Sequence, residues 1–195
     1  DNDDKTDQVF NIHLEHATKT NVRNAKEDKT VTRTIKYHYA GTTKDAAPAK
    51  VQTIKFEAYD TIDQVTGKTV NTTYSPVSQQ FASVKSPVIS GYTASQSEVS
   101  AQTVDSNTQD QTVTITYTAN AQKATINYVD DTTGKTINSE AISGHTGDKI
   151  ADPTEAITNY EKQGYKLVSD DLANGASFDN DDKTDQVFNI HLEHA

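Results

Sequence analysis

The first 17 residues of the chain occur a second time, unchanged, at residues 179–195. Both segments read DNDDKTDQVFNIHLEHA, and the second begins 178 positions after the first. An identical match of this length does not arise by chance, so the segment is a duplication. The simplest explanation is a tandem array, from which the chain contains one whole unit and the tail of the unit before it. Arrays of large modules extend a protein or repeat a binding surface, which favours a surface or scaffold protein over an enzyme.

Composition limits the size of any hydrophobic core. Hydrophobic residues make up 33% of the 195 residues, and the chain has neither Trp nor Met. Two domains, each with a thin core, fit this composition better than one domain with a thick core. Thr, Ser, Val, Ile and Tyr are prominent whereas Gly and Pro are sparse, so the composition favours β-strands.

The charge and the lack of cysteine narrow the classes of partner and location. The formal net charge is −10, so phosphate backbones and anionic membrane surfaces would be repelled. We therefore expect neither nucleic-acid binding nor membrane insertion, and no apolar run approaches the ~20 residues that cross a bilayer. An extracellular protein without cysteine must be stable without disulfides, as many Gram-positive surface proteins are.

A second, weaker repeat lies inside the unit. The segment YDTIDQVTGKTVN at 59–71 resembles YVDDTTGKTIN at 128–138. A Gly-Tyr pair follows each of them, at 91–92 and at 164–165. The matches keep their order and are separated by small insertions, so the unit is expected to consist of two related domains.

These matches define the domain boundaries that we predict. The first domain is expected at 18–118 and the second at 119–195. Residues 1–17 are then the final strand carried over from the preceding repeat. Because that strand has lost its own sheet, we expect it to lie outside the core of this unit, either disordered, extended along a neighbouring edge or swapped into another molecule.

The second domain has the element order of a ubiquitin-like β-grasp fold. Alternating apolar residues at 124–129 predict a first strand, and the following turn and return strand complete a hairpin. Asp152 is a candidate N-cap, Pro153 is placed at the first helical position and Glu155 completes a capping box. Two further strands follow, the last at 187–193, so the order is β-β-α-β-β.

The first domain is predicted to be a variant of the same fold with a longer opening hairpin. Val77, Phe81 and Val84 follow Ser75-Pro76 with the spacing of one helical face, which predicts a short helix. The complete prediction is therefore a strand-dominated α+β chain of two tandem ubiquitin-like β-grasp domains in an elongated arrangement.

Both domains also resemble a known family. The pattern YxxxxxGK at 128–135, followed by GxxG at 144–147, GY at 164–165 and a closing strand, resembles the MucBP (mucin-binding protein) domain. The segment FASVKSPVISGYT at 81–93 resembles the partner domain found beside it. Together the two are similar to one repeat of a Mub-type mucus-binding adhesin of lactobacilli.

The resemblance implies an extracellular adhesin on the bacterial cell surface, anchored to the cell wall through a region outside this sequence. Its implied partners are host mucin glycoproteins or their glycans, immunoglobulins for some repeats, and adjacent repeats of the same chain. Two alternatives stay open. The repeat could be a structural spacer that lifts another domain from the cell wall, or a host-protein binder that pairs a sheet edge with its partner.

Histidines and acidic residues suggest metal ligands, but each pattern also fits a structural role. Two histidine pairs, His13/His16 and His191/His194, are spaced by three residues, which on a strand sends their side chains to opposite faces. The acidic run 179–185 resembles a calcium loop, yet it lacks the glycine and the final glutamate of an EF-hand. An acidic turn is the alternative.

The candidate sites are therefore few. The weak calcium candidates are Asp179, Asp181 and Asp185, and no other cofactor is expected. No nucleophile elbow or glycine-rich phosphate loop occurs, so we predict that the chain is not an enzyme. Tyr59 and Tyr74 flank turns and are the candidate ligand contacts. Core packing is expected for the tyrosines at inward strand positions, which are Tyr37, Tyr39, Tyr128 and Tyr165.

Overall fold

The computed structural model describes residues 1–195 and consists almost entirely of β-strands. The first ten strands are β1 (Thr18–Arg23), β2 (Lys29–Tyr39), β3 (Asp45–Asp63), β4 (Thr69–Ser75), β5 (Gln79–Phe81), β6 (Val84–Lys85), β7 (Tyr92–Ala94), β8 (Glu98–Val99), β9 (Gln102–Val104) and β10 (Gln111–Ala119). The remaining elements are β11 (Ala121–Asp130), β12 (Lys135–His145), β13 (Lys149–Ile150), the helix α1 (Thr154–Lys162), β14 (Tyr165–Asp170), β15 (Ala176–Ser177) and β16 (Gln186–His194). A 3₁₀ turn lies at Ala25–Glu27. This confirms a strand-dominated, two-domain chain with one short helix.

The chain forms two compact units. The first contains residues 1–34, 51–83 and 100–112, and the second contains the remaining residues. The first has one hydrophobic cluster, formed by Val31, Phe56, Phe81 and Val104. The second has two clusters, whose buried members are Ile35, Tyr37, Val99, Ile115 and Tyr117 in one and Ala124, Ile126, Tyr128, Ile150, Ile157, Leu172, Phe178 and Ile190 in the other. Small separate cores are what the low hydrophobic content predicted.

The sheet of the second domain has the strand order β12-β11-β16-β14. The β11–β12 hairpin is antiparallel, whereas β16 lies parallel to β11 and antiparallel to β14. Alternation along β11 buries Ile126 and Tyr128 on one face, where Ile190 from β16 joins them. The helix covers this face with Ile157, which is 5% exposed. The predicted alternation along 124–129 is therefore observed, and its apolar face packs against the helix.

The helix is present where it was predicted, but its predicted capping box is wrong. The helix begins at Thr154, Pro153 occupies the N-cap position, and no side chain caps its first turn. The Asp152 carboxyl group instead points to the sheet, toward Asp170, and only its backbone carbonyl accepts the Thr154 N–H, at 2.8 Å. Gly164 ends the helix with φ of +99°, as expected. No helix in the structure is both long and apolar enough to cross a membrane.

The proximity of Asp152 and Asp170 makes the stability of the second domain depend on pH. Burial, followed by the neighbouring Asp152 carboxyl group, raises the pKa of Asp170 to about 6. The folded state therefore binds a proton more tightly than the unfolded state, so this pair destabilises the fold as pH rises from about 4 to about 6. We expect the wild-type protein to lose more stability than Asp170→Asn between pH 5 and pH 7.

Urea denaturation at the two pH values measures this difference. The Asn side chain keeps the acceptor for the Leu172 N–H, at 2.8 Å in the wild type, so the variant changes the charge and little else. Glu161→Gln, an exposed replacement on the helix, is the control and should follow the wild type. Equal pH dependence in Asp170→Asn and the wild type would contradict the raised pKa of Asp170 as its cause.

The other sheet has the order β1-β3-β2-β10-β7, with β4 paired to β3. The helix predicted around Val77, Phe81 and Val84 is wrong, because this segment forms the short strands β5 and β6, which pair with β9 and β8. Phe81 is 2% exposed whereas Val77 is 84% exposed, so the three residues do not share one buried face. Backbone pairing with neighbouring strands replaces the helical hydrogen bonds.

Arg33 on β2 is the largest buried side chain of the first unit, and its partners are neutral. Its guanidinium donates to the side-chain oxygen of Gln52 at 2.9 Å and to the carbonyls of Ser100 at 2.9 Å and Ala82 at 3.0 Å. It also lies 5.1 Å from the ring centroid of Phe81. Only 2% of Arg33 is exposed. The fork of donors ties three separate segments of the unit together.

The two copies of the duplicated segment adopt different structures. Residues 1–17 contain no strand, and Phe10, Ile12 and Leu14 are 82%, 85% and 90% exposed. In the second copy the matching residues lie in β16, where Ile190 and Leu192 are fully buried. Their sequences are identical, so the presence of sheet partners, not local propensity, decides whether the strand forms.

Candidate functional site

An aromatic pocket lies in the second unit, at the end of β2. Tyr39 is the last residue of β2 and Tyr92 is the first residue of β7, and their ring centroids are 5.0 Å apart at an interplanar angle of 56°. Both rings are half-buried, so each keeps part of its surface accessible. Tyr117 from β10 lies beneath them and is fixed by the hydrogen bond from its hydroxyl to the Pro87 carbonyl, at 2.6 Å. Tyr39 and Tyr92 both pack against the hydrophobic cluster that contains Tyr117, so the core supports part of each ring.

The pocket has a volume of about 570 Å³, which suits a small sugar-sized group. Its lining residues are Tyr39, Ala40, Thr42, Lys44, Tyr92, Tyr117, Thr118, Ala119 and His145. None of them is acidic, although the chain has a net charge of −10. The lining thus carries no negative side chain, although the Asp148 carboxylate lies 3.6 Å from Nδ1 of the lining residue His145.

The turn between β2 and β3 places a cation at the pocket. The Tyr39 N–H donates to the Lys44 carbonyl at 3.0 Å, and the Thr42 N–H and hydroxyl both donate to the Tyr39 carbonyl. Gly41 adopts φ of +72°, which this tight turn requires. The Lys44 Nζ atom consequently lies 5.7 Å from the ring centroid of Tyr39. Aromatic faces beside an ammonium group and hydroxyls can bind a sugar that carries an acidic substituent.

A hydrogen-bond network around Asp182 fixes the strand that carries Tyr92. One carboxylate oxygen of Asp182 accepts the Gly91 N–H at 3.0 Å, and the other accepts the side-chain amides of Asn120 and Gln122 at 3.1 Å and 2.8 Å. These bonds, with that from Asn120 the largest, lower the pKa of Asp182. Gly91 has φ of +84°, and a Cβ atom there would lie 2.7 Å from the Asn180 Cβ. Only glycine allows this close approach.

The acidic run 179–185 is organised by its own backbone. Asp179 accepts the Asp181 N–H at 3.1 Å, and Asp181 accepts the N–H groups of Lys183 and Thr184 at 2.9 Å and 3.3 Å. These bonds are typical of Asx turns, which was the alternative interpretation of the run. The structure does not bring Asp179, Asp181 and Asp185 together, since no group of three His, Cys, Asp or Glu residues is arranged to hold a metal ion.

Three histidines of the duplicated segments are each bound to an aspartate. His191 bonds to Asp131 at 2.8 Å and His194 bonds to Asp130 at 2.8 Å, both within the second domain. In the first copy, His16 makes the corresponding kind of contact, to Asp63 at 2.7 Å. Each of these histidines thus contacts a carboxylate, and the two members of the 191/194 pair bind different aspartates.

The structure does not bring the two candidate contact tyrosines together. Tyr59 on β3 pairs with Thr73, and the preceding residue of β3 pairs with Tyr74 on β4, so the two rings lie on opposite faces of the sheet. Tyr59 lies under the Arg23 guanidinium and Tyr74 under the Lys29 ammonium, at 5.6 Å and 4.7 Å. Both are half-buried.

Sequence reasoning missed the aromatic pocket. It assigned Tyr39 to the core, and Tyr39 does pack against the core with part of its ring, but its position at the end of a strand leaves the rest accessible. The repeat of the Gly-Tyr pair identifies Tyr92 but does not indicate a pocket. The Gly-Tyr pair is not a sufficient signal, because the same pair at 164–165 also has a glycine with positive φ but does not line the pocket.

Family models match nearly the whole chain. Residues 22–121 match the Muc B2-like domain, and residues 122–194 match the mucin binding domain. No curated protein matches the chain.

Several solved structures are similar to parts of the chain. The type 2 repeat of the mucus binding protein MUB from Lactobacillus reuteri is 31% identical, covering 62% of this chain and 68% of that chain, with a TM-score of 0.45. The MucBP domain of the adhesion protein from Pediococcus pentosaceus is 36% identical, covering 47% and 98%, with a TM-score of 0.41. A mucin-binding domain from Streptococcus pneumoniae is 28% identical, covering 53% and 97%, with a TM-score of 0.43.

The family models confirm the resemblance inferred from the residues. Between them they span residues 22–194, and the first alone matches half of the chain. Domains of this kind are non-enzymatic parts of cell-surface adhesins, in agreement with the prediction that the chain is not an enzyme. The chain therefore belongs to the Mub-type repeats of mucus-binding adhesins, in which a Muc B2-like domain is followed by a mucin-binding domain.

Proposed function

We propose that this repeat binds the glycans of host mucin glycoproteins through the pocket of Tyr39, Tyr92 and Lys44. The observation that carries the proposal is a pair of partly accessible tyrosine rings that pack against the core beside a lysine. They line a pocket without acidic residues on a chain of net charge −10. A tyrosine ring offers an apolar face to the C–H groups of a sugar and a hydroxyl to its oxygens.

The lysine defines the class of glycan. The Lys44 ammonium favours a sugar that carries a carboxylate or sulfate, because the rest of the acidic surface repels such groups. His145 also lines the pocket and carries a ring N–H donor. We expect one weak contact per repeat. In an array, the effective concentration of neighbouring repeats would convert weak contacts into firm attachment.

Several finer features belong to the same proposal. The second domain is assigned to the β-grasp type, because its first and last strands lie parallel and adjacent with a helix between the two hairpin-like halves. In this proposal the first domain ends at residue 118 and the second begins at residue 119. Residues 1–17 belong to the preceding repeat. Attachment to the cell wall would occur through a region outside residues 1–195.

Binding of immobilised mucin by single-site variants tests the glycan proposal. Tyr39→Ala is expected to weaken binding about tenfold, since stacking of one aromatic ring contributes ~1–1.5 kcal/mol. Lys44→Gln is expected to weaken binding to acidic mucin and to leave binding to desialylated and desulfated mucin unchanged. Lys36→Gln, which changes an exposed lysine outside the pocket, is the matched control for Lys44→Gln and should keep wild-type affinity.

The Lys44→Gln variant tests the pocket without disturbing the fold. Tyr39 packs partly against the core, so its replacement also removes core contacts, whereas Lys44 is exposed and lies in a turn. Wild-type mucin affinity in Lys44→Gln and Tyr39→Ala together would reject this pocket as the glycan site. Absence of any binding to mucin, glycans or immunoglobulin by the wild-type protein would favour the spacer alternative.

Immunoglobulin binding is a second candidate function. It is favoured by the position of β14 at the edge of its sheet and by the exposed apolar side chains on that strand. This strand lies at one edge of the second-domain sheet, and Leu167 and Val168 are 38% and 49% exposed on it. An edge strand with apolar side chains can pair with a strand of another protein. Removing the glycans from each ligand separates the candidates, because strand pairing would survive deglycosylation and sugar binding would not.

A further inference from the structure

Two turns, one in each domain, have the same hydrogen bonds. They occupy 63–68 after β3 and 130–135 after β11. In each, one oxygen of the leading aspartate accepts the N–H two residues further on, at 2.8 Å for Asp63 and 3.0 Å for Asp130. In each, the glycine at the fifth position has φ near +75° and donates its N–H to the aspartate carbonyl, at 2.8 Å and 2.7 Å. The turns are therefore structural equivalents.

The second oxygen of each aspartate is bound by the same histidine of the duplicated segment. His16 contacts Asp63 through Nδ1, at 2.7 Å, and His194 contacts Asp130 through Nε2, at 2.8 Å. The two histidines occupy identical positions in the two 17-residue copies. The equivalent histidines of the two copies therefore bind different aspartates, and they do so through different ring nitrogens.

We propose that this histidine is a junction clamp between successive repeats. Where one repeat is followed by the next at the 178-residue spacing, His194 binds Asp130 of its own repeat through Nε2 and Asp63 of the following repeat through Nδ1. The partner surface is the turn 63–68 of a second copy of this chain, joined in tandem. The clamp is independent of the glycan pocket and holds whether or not that pocket binds mucin.

The backbone contacts of the two copies are compatible with simultaneous docking. In the second copy the Ala195 N–H donates to the Gly164 carbonyl at 2.9 Å. In the first copy the equivalent residue, Ala17, uses its carbonyl instead, which accepts the Gln64 N–H at 2.9 Å. The two sets of contacts use different atoms, so neither has to break when both form. Strand β16 then continues into β1 of the next repeat across a single residue.

Both aspartates are suited to accept from one ring. The side chains of Asp63 and Asp130 are 18% and 6% exposed, so each needs a hydrogen-bond donor from the protein. The bond from His16 is the main cause that lowers the pKa of Asp63. Burial raises the pKa of Asp130, but hydrogen bonds led by that from His194 outweigh it and lower the pKa overall. An imidazole that donates through both nitrogens is a cation, which two carboxylates stabilise.

The test compares the single chain with a two-repeat protein made of residues 1–195 followed directly by a second 18–195. Nitrogen-15 NMR of labelled histidine rings detects each hydrogen-bonded ring N–H separately. In the single chain, Asp63→Asn should remove or shift the Nδ1–H signal of His16 alone, and Asp130→Asn the Nε2–H signal of His194 alone. In the two-repeat protein, the junction histidine should show both signals and lose one with each substitution.

Asp63→Asn in the second repeat is the decisive variant, because Asp63 is the more exposed of the two aspartates and its replacement leaves the second domain intact. Asp131→Asn, which removes the partner of His191, is the matched control and should leave the junction signals unchanged. A junction histidine that responds to Asp130→Asn but not to Asp63→Asn in the following repeat would overturn the proposal. So would a junction ring with a single hydrogen-bonded N–H.

The clamp should also couple the motion of the repeats. NMR relaxation of the two-repeat protein is expected to give one rotational correlation time for the domains that flank the junction. Replacing the junction His194 with Ala should shorten the correlation time of each flanking domain, and the same replacement at His16 should not change the junction. Equal correlation times with and without the junction imidazole would count against the proposal.

Discussion

Ile190→Ala is expected to lower the free energy of unfolding of the second domain by about 2–5 kcal/mol, whereas Ile12→Ala is expected to change it by less than about 0.5 kcal/mol. The two isoleucines occupy the same position in identical 17-residue sequences. Ile190 is fully buried in the core under α1, while Ile12 is 85% exposed. The local sequence is held constant, so the difference measures tertiary burial alone.

Urea denaturation of the two variants gives the comparison directly. Leu192→Ala and Leu14→Ala form a second pair. We expect a large loss of stability only from Leu192→Ala, since Leu192 is fully buried and Leu14 is 90% exposed. Equal losses in both members of a pair would mean that the first copy competes for the position of β16 in solution. Deleting residues 1–17 should for the same reason leave the unfolding midpoint nearly unchanged.

Arg33→Ala is expected to destabilise the first unit by about 2–4 kcal/mol. The variant leaves a cavity and removes the donors to the Ala82 and Ser100 carbonyls and to the Gln52 side chain. The Ala82 carbonyl keeps a second donor, the Gln52 side-chain amide at 3.0 Å, but hydrogen bonds are lost in three segments at once. Lys36→Ala, on an exposed position of the same strand, is the control and should cost no more than about 0.5 kcal/mol.

Arg33→Lys separates the charge from the geometry. A lysine keeps the positive charge but cannot direct three donors in the plane of a guanidinium. We therefore expect Arg33→Lys to lose at least half of the stability that Arg33→Ala loses, measured in the same denaturation series. Full stability in the lysine variant would show that a buried charge is sufficient and that the fork of hydrogen bonds is not needed.

The second domain could be predicted from sequence because its signals are local. Alternation along 124–129 fixes which side chains face the core, and Gly164 ends the helix through a conformation that needs no distant partner. The predicted capping box was wrong because two partners compete for the Asp152 side chain. One is the helix N-terminus, and the other is Asp170 on the sheet, which it contacts in the structure. Sequence spacing describes only the first of these.

The first domain was harder to predict because its elements around Phe81 are too short to show a period. Strand β5 has three residues and β6 has two, so hydrophobic spacing alone favoured a helix there. The aromatic pocket was missed for a related reason. Tyr39 and Tyr92 are 53 positions apart, and their strands come together only because β10 pairs with both β2 and β7.

The position of β16 in the middle of its sheet has a consequence for the order of folding during synthesis. The strand lies between β11 and β14, yet it is the last strand of the domain to leave the ribosome. Until it emerges, the two halves of the sheet have no common neighbour, so the domain closes in one late step. During that interval residues 1–17 of this chain carry the identical segment and are exposed, so the speed of closure determines how often they are captured in place of β16.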